Sequence, residues 1–128
     1  MSIAEKAIAC HGKGFNCAQS VLAACEEYTK LDEKTALAVS GGFGGGVRCG
    51  EICGAVSGAV MAIGICKPFN ERGDGQAKAR IAAETVAITD KFKEEFGCLR
   101  CNDLKAAGKS CDRIIEYCAV AAEERIKD

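Results

Sequence analysis

Residues 76–96 read QAKARIAAETVAITDKFKEEF. Ile81, Thr85, Ile88, Phe92 and Phe96 recur every three or four positions. That spacing lines one face of a helix and would scatter over both faces of a strand. The stretch contains neither glycine nor proline. It predicts a long amphipathic helix and sets the class of the chain, because alternating apolar and polar runs are nearly absent elsewhere.

Working outward, Gly97 closes this helix and a short cysteine-rich segment follows. A last helix is predicted from about Ser110 to Ile126. Toward the N-terminus, Lys67 to Gly75, which holds the single proline Pro68, reads as a loop. A helix is predicted before it, from about Gly50 to Ile65. Residues 40–47, SGGFGGGV, are too rich in glycine for a helix, since each glycine costs about 1 kcal/mol relative to alanine. Further helices are predicted from Asp32 to about Val39, and from a cap at Asn16 to about Tyr28. The first starts at Ser2, where Ser2-x-x-Glu5 forms a capping box, and ends near Cys10. His11 to Gly14 breaks the chain. No repeat and no linker divides it. The fold class is all-α: a single-domain helical bundle of about five to six helices over residues 1–128.

The 128 residues are 48% apolar and 27% charged, an ordinary globular balance. A chain this long can bury a core without staples. The net charge of −1 argues against nucleic acid, which demands a basic face. No run of 18 apolar residues exists, so no membrane insertion is expected. The first residues lack the charged-then-apolar order of a signal peptide, and the expected location is cytoplasmic.

Ten cysteines are the anomaly. A reducing cytosol disfavours structural disulfides, which leaves metal or redox chemistry for some of them. The rest would pack as small hydrophobes, about four being functional. Cys17, Val21, Ala24, Cys25 and Tyr28 share a face of the second predicted helix. Cys49, Cys53, Val56, Val60 and Ile63 share one on the fourth. Cys111, Ile115, Cys118 and Ala122 share one on the last. Cys98-x-x-Cys101 lies on the connection leading into it. Thiols from distant segments can therefore meet. Four thiolates suit an iron–sulfur cluster or zinc, whereas a dithiol pair needs two. Cys17, Cys53 and Cys111 each lie in or near a first helical turn, which favours thiolate. The glycine-rich loop, with Gly44, Gly45 and Gly46, would bring backbone N–H groups close to the sulfurs as a cofactor-binding element.

Other motifs carry less. Gly50, Gly54, Gly58 and Ala62 form a small-residue stripe, suited to a close helix contact inside the chain or to a homodimer seam. The glycine-rich loop fits neither G-x-G-x-x-G nor a P-loop. His11, the only histidine, reads as an exposed loop residue. Covalent haem lacks its C-x-x-C-H. No Ser–His–Asp set and no buried carboxylate pair is visible.

Cys53-Gly54-Ala55-Val56-Ser57-Gly58 reads as C-G-A-x-x-G. Asn16-Cys17-Ala18 precedes it, and Phe96-Gly97-x-x-x-Cys101 and Cys111 follow. This order resembles the C_GCAxxG_C_C family of redox-active proteins over about Gly14 to Ile126. The resemblance implies four shared cysteines, which fall on Cys17, Cys53, Cys101 and Cys111 as metal ligands. Cys98 ranks below Cys101, and Cys10, Cys25, Cys49, Cys66 and Cys118 are extras. The family is similar to part of the split-Soret cytochromes, helical dimers carrying haem and a non-haem iron centre. That similarity favours an iron–sulfur cluster, [2Fe-2S], over zinc.

The expected function is therefore a small cytoplasmic electron carrier or redox sensor. It would exchange electrons with a redox protein partner rather than convert a substrate. The alternatives are a thiol–disulfide redox protein without metal, and a zinc-stabilised helical interaction module.

Overall fold

Local side chains start the helices. Ser2 Oγ accepts from the Glu5 N–H at 3.1 Å while Glu5 Oε1 accepts from the Ser2 N–H at 2.9 Å. This box opens α1 (Ile3–Gly12). Asn16 and Gln19 repeat it, at 3.0 and 2.9 Å, to open α2 (Cys17–Ala24). The structure, a computed structural model, describes residues 1–127. The remaining helices are α3 (Glu26–Thr29), α4 (Glu33–Ser40), α5 (Gly54–Cys66), α6 (Gly75–Phe96), α7 (Cys101–Ala106) and α8 (Cys111–Ile126). Asp32, Asp74 and Ser110 cap α4, α6 and α8. Among the described residues there is no strand, only an isolated antiparallel bridge between Ile52 and Arg100. The molecule is an all-α single domain, with six longer α-helices and two short ones among the described residues.

Three differences from the sequence expectation lie beyond the first helix. The second helix stops at Ala24, and the chain turns at Cys25 into the short α3. A six-residue helix, α7, occupies what was expected to be irregular. The third difference shapes the site. The helix expected from Gly50 starts only at Gly54, because the chain before it coils left-handedly. Gly45, Gly46, Val47 and Arg48 have φ of 65°, 64°, 58° and 61°. For a non-glycine residue this costs about 1–2 kcal/mol. The turn persists because its flanks are clamped. The Glu51 N–H donates to Gly46 O at 3.1 Å, and Arg100 pairs with Glu51 at 3.0 Å. A Cβ on Gly46 would run into the Glu51 backbone, so that position needs glycine for space as well as for φ. Cys49 consequently leaves the helix face on which it was expected and is exposed.

The centre of the bundle is the contact between α2 and α5, with α1 and α8 closing over it and α6 lying across α5 and α8. Val21, Leu22, Val56, Ile63, Ile88, Phe92 and Ile115 form the buried core. Gly58 permits the close approach of α5 to α2: a Cβ there would stand 2.6 Å from Ala18 O. Of the expected stripe, Gly54 and Gly58 thus meet α2 of the same chain, while Gly50 lies before the helix. Phe92, Phe96 and Tyr117 stack with centroids 4.7–6.3 Å apart. Arg125 grips Glu84 through two hydrogen bonds of 3.0 and 3.1 Å, tying α8 to α6. No helix is long and apolar enough to cross a membrane.

Candidate functional site

Four helix starts meet at one end of the bundle. Cys17 is the first residue of α2, Cys101 of α7 and Cys111 of α8, and Cys53 caps α5. All four thiols line a single cavity of about 210 Å³. The structure thus brings together the four cysteines that the sequence singled out. Two short segments set the spacing of Cys53 and Cys101. The Cys53 N–H donates to Leu99 O at 2.9 Å, and the Cys101 N–H donates to Glu51 O at 2.6 Å. Asn16 fixes Cys17: besides capping α2, its Nδ2 donates to Gly41 O at 3.0 Å.

The thiols feel one another. Burial pushes Cys17 up to about 12, and Cys111, Cys53 and Cys101 push in the same direction. Of these neighbours Cys111 acts on Cys17 most strongly. Burial also raises Cys53, against the N–H groups of Ala55 and Val56, which favour its thiolate. Helix starts attract negative charge, yet desolvation and mutual repulsion win here. At neutral pH Cys17 and Cys53 therefore keep their protons in the metal-free site. Behind them Cys118, buried on α8, is raised by burial and by the charges of Cys53 and Cys17.

The remaining expected positions divide. Gly45 lines the cavity, but Gly44 and Gly46 do not; Gly44 packs against Asn16 and Gly46 against Glu51. Cys98 is half-buried against the core and does not reach the cavity. Cys25 is buried near Cys66, far along α2 and α5 from the four thiols. Cys10 and Cys49 also lie outside the cavity lining. None of the ten cysteines is in a disulfide.

Sequence reasoning missed the cations. Arg48, Lys105 and Lys109 line the cavity, and no carboxylate does. No spacing announces them, because the turn between α7 and α8 brings Lys109 back to the site. His11 is also a correction. It sits in the last turn of α1, not in a loop, and lines the cavity with Nδ1 2.8 Å from Asp112 Oδ1. The helix runs past Cys10 to end at Gly12, where the Lys13 N–H closes it by reaching back to Cys10 O.

The fit to a metal group can be tested on these atoms. Four thiols without a competing carboxylate are the donor set of an iron–sulfur cluster, and zinc accepts it equally. The nearby cations offset the negative charge that thiolates would bring. As the side chains stand, no three of His, Cys, Asp and Glu among the described residues are gathered tightly enough to hold a metal ion. The donor chemistry fits, and gripping a metal requires the thiols to draw closer together.

A family model described as "Putative redox-active protein (C_GCAxxG_C_C)" matches residues 15–125. The chain belongs to the C_GCAxxG_C_C family. The match spans all four helix starts, and the description gives this C_GCAxxG_C_C protein a redox role. No curated protein matches the chain, and neither does any solved structure.

Proposed function

We propose that the protein is an electron carrier or redox sensor whose centre is an iron–sulfur cluster, [2Fe-2S], held by Cys17, Cys53, Cys101 and Cys111. One observation carries this reading: four thiols from four helix starts line one cavity that no carboxylate enters. Zinc would take the same ligands but has no redox chemistry, so the family's redox description favours iron. When bound, the cluster supplies one-electron transfer. The chain supplies the rest. The four cysteines lose their protons on ligation, helped by the helix starts and by Arg48, Lys105 and Lys109. Ile114 and Leu104 give the cavity an apolar wall. Electrons pass to a redox partner at the open side. Ten unpaired thiols suit a reducing compartment, and we place the protein in the cytoplasm.

The test is an absorbance spectrum with iron and sulfide analysis on protein prepared without oxygen. Broad absorbance between roughly 300 and 600 nm that bleaches on reduction, with iron and sulfide, is the expected result. Colourless protein containing zinc would replace the reading with a structural site.

A second reading rests on Cys17 and Cys111 lining the same cavity, Cys111 being the neighbour that raises Cys17 most. These two thiols would form a disulfide and give up two electrons and two protons to an oxidising partner. Metal-free protein in which this pair alone cycles between thiol and disulfide is its signature.

A further inference from the structure

The four-thiol cavity is lined by three cations that nothing neutralises. Arg48, Lys105 and Lys109 are exposed and, among the described residues, enter no ion pair. Other exposed cations, such as Lys13, Lys30 and Arg72, also enter no ion pair among the described residues; what sets these three apart is that they line one cavity that no carboxylate lines. The whole chain carries a net charge of −1, so the concentration of positive charge is local. Arg48 is moreover presented at a backbone cost, in a left-handed turn next to the equally left-handed Val47. Such strain collects where a site needs a side chain in one place. A cavity of about 210 Å³ is too small for a folded partner to enter and lies below the usual range of drug-sized pockets, leaving room for an ion or a very small molecule.

We propose that the mouth of this cavity is a binding site for a small anion, a carboxylate or an inorganic oxyanion, held above the thiols by Arg48, Lys105 and Lys109. The inference rests on reading the four thiols as the redox centre: the anion is the molecule, or the charged end of the molecule, that comes within electron or sulfur reach of them. Field lines from three cations converge on the opening and raise the local concentration of anions there. Neutral molecules of the same size gain nothing from them.

The test uses the reduced, metal-free full chain carrying Cys49→Ser, which removes the exposed thiol beside Arg48. Two disulfide probes are compared, the dianionic 5,5′-dithiobis(2-nitrobenzoate) and the neutral 4,4′-dithiodipyridine. Modification of Cys111 and Cys101 is followed peptide by peptide by mass spectrometry. In each reaction a cysteine thiolate forms a mixed disulfide and half of the probe leaves as thiolate. The anionic probe should saturate with concentration. Its rate relative to the neutral probe should fall about tenfold from low salt to about 1 M KCl, where charge is screened within about 3 Å. Replacing Arg48, Lys105 and Lys109 together by glutamine should lower the ratio likewise. The neutral probe's rate carries whatever change in thiolate fraction the lost cations cause, so the ratio isolates the attraction of the anion, and an unchanged helical circular-dichroism spectrum shows that the variant is folded. Sulfate and benzoate, added separately at matched ionic strength, identify which anion type competes. A probe ratio indifferent to salt and to the three substitutions overturns the site. Iron content and thiol redox state are read separately. Protein that holds iron without an anion preference loses this inference alone, and protein with the preference but redox-silent thiols loses the redox reading alone.

Discussion

Cys25 shows what burial does to a thiol with no role at the site. It is fully buried, and desolvation raises it to about 12 from an ordinary 9.0, with Cys66 the next contributor. The folded state therefore keeps its proton where the unfolded chain has lost it. Stability from this source is complete below about pH 9 and drains away as pH rises toward about 12. Urea midpoints at about pH 7.5 and about pH 10 should fall more steeply for the wild type than for Cys25→Ala. Parallel slopes would mean that Cys25 does not keep its proton. Val47 is the other telling residue, half-exposed with φ of 58°. Val47→Gly removes left-handed strain and should raise stability by about 1 kcal/mol in the same titration. A loss of stability would show that the valine side chain is needed there.

At the scale of elements, each thiol is placed by the start of a helix, so what starts the helices matters most. Asn16→Ala removes the cap of α2 and the bond to Gly41 O, and should cost about 1 kcal/mol. It should also make Cys17 easier to alkylate. Unchanged alkylation would separate the cap from the site. On α5, Gly58→Ala improves helix propensity by about 1 kcal/mol but drives a methyl into Ala18 O. Overpacking should prevail, for a net loss of about 1–2 kcal/mol by urea titration. The caps at Ser2 and Asn16 and the helix starts at Asp32 and Ser110 were legible in the sequence, because a cap is a contact between residues only three apart. The turn at 45–48 was not, because what holds it is Glu51 and Arg100, the latter half a chain away. The short α7 was missed for a related reason: six residues cannot sustain a helix on propensity, and packing makes this one.

Across the whole molecule, the cysteines sort by depth and by end. Cys17, Cys53, Cys101 and Cys111 gather at one cavity, Cys118 lies behind them, and Cys25 and Cys66 pack at the other end of α2 and α5. Cys17, Cys53 and Cys111 were legible from positions near a helix start, and Cys101, on a stretch read as a connection, only from the family pattern. The cations around them were not, since they become neighbours only when α7, α8 and the left-handed turn close on the same space. The central claim is that these four thiols act as one centre. Iron and sulfide per chain, measured on protein prepared without oxygen, tests it most directly across Cys17→Ser, Cys53→Ser, Cys101→Ser, Cys111→Ser and the control Cys25→Ser. The account predicts that each of the first four loses most of its iron while Cys25→Ser keeps the wild-type content. Iron absent from the wild type, or lost equally from Cys25→Ser, would contradict it.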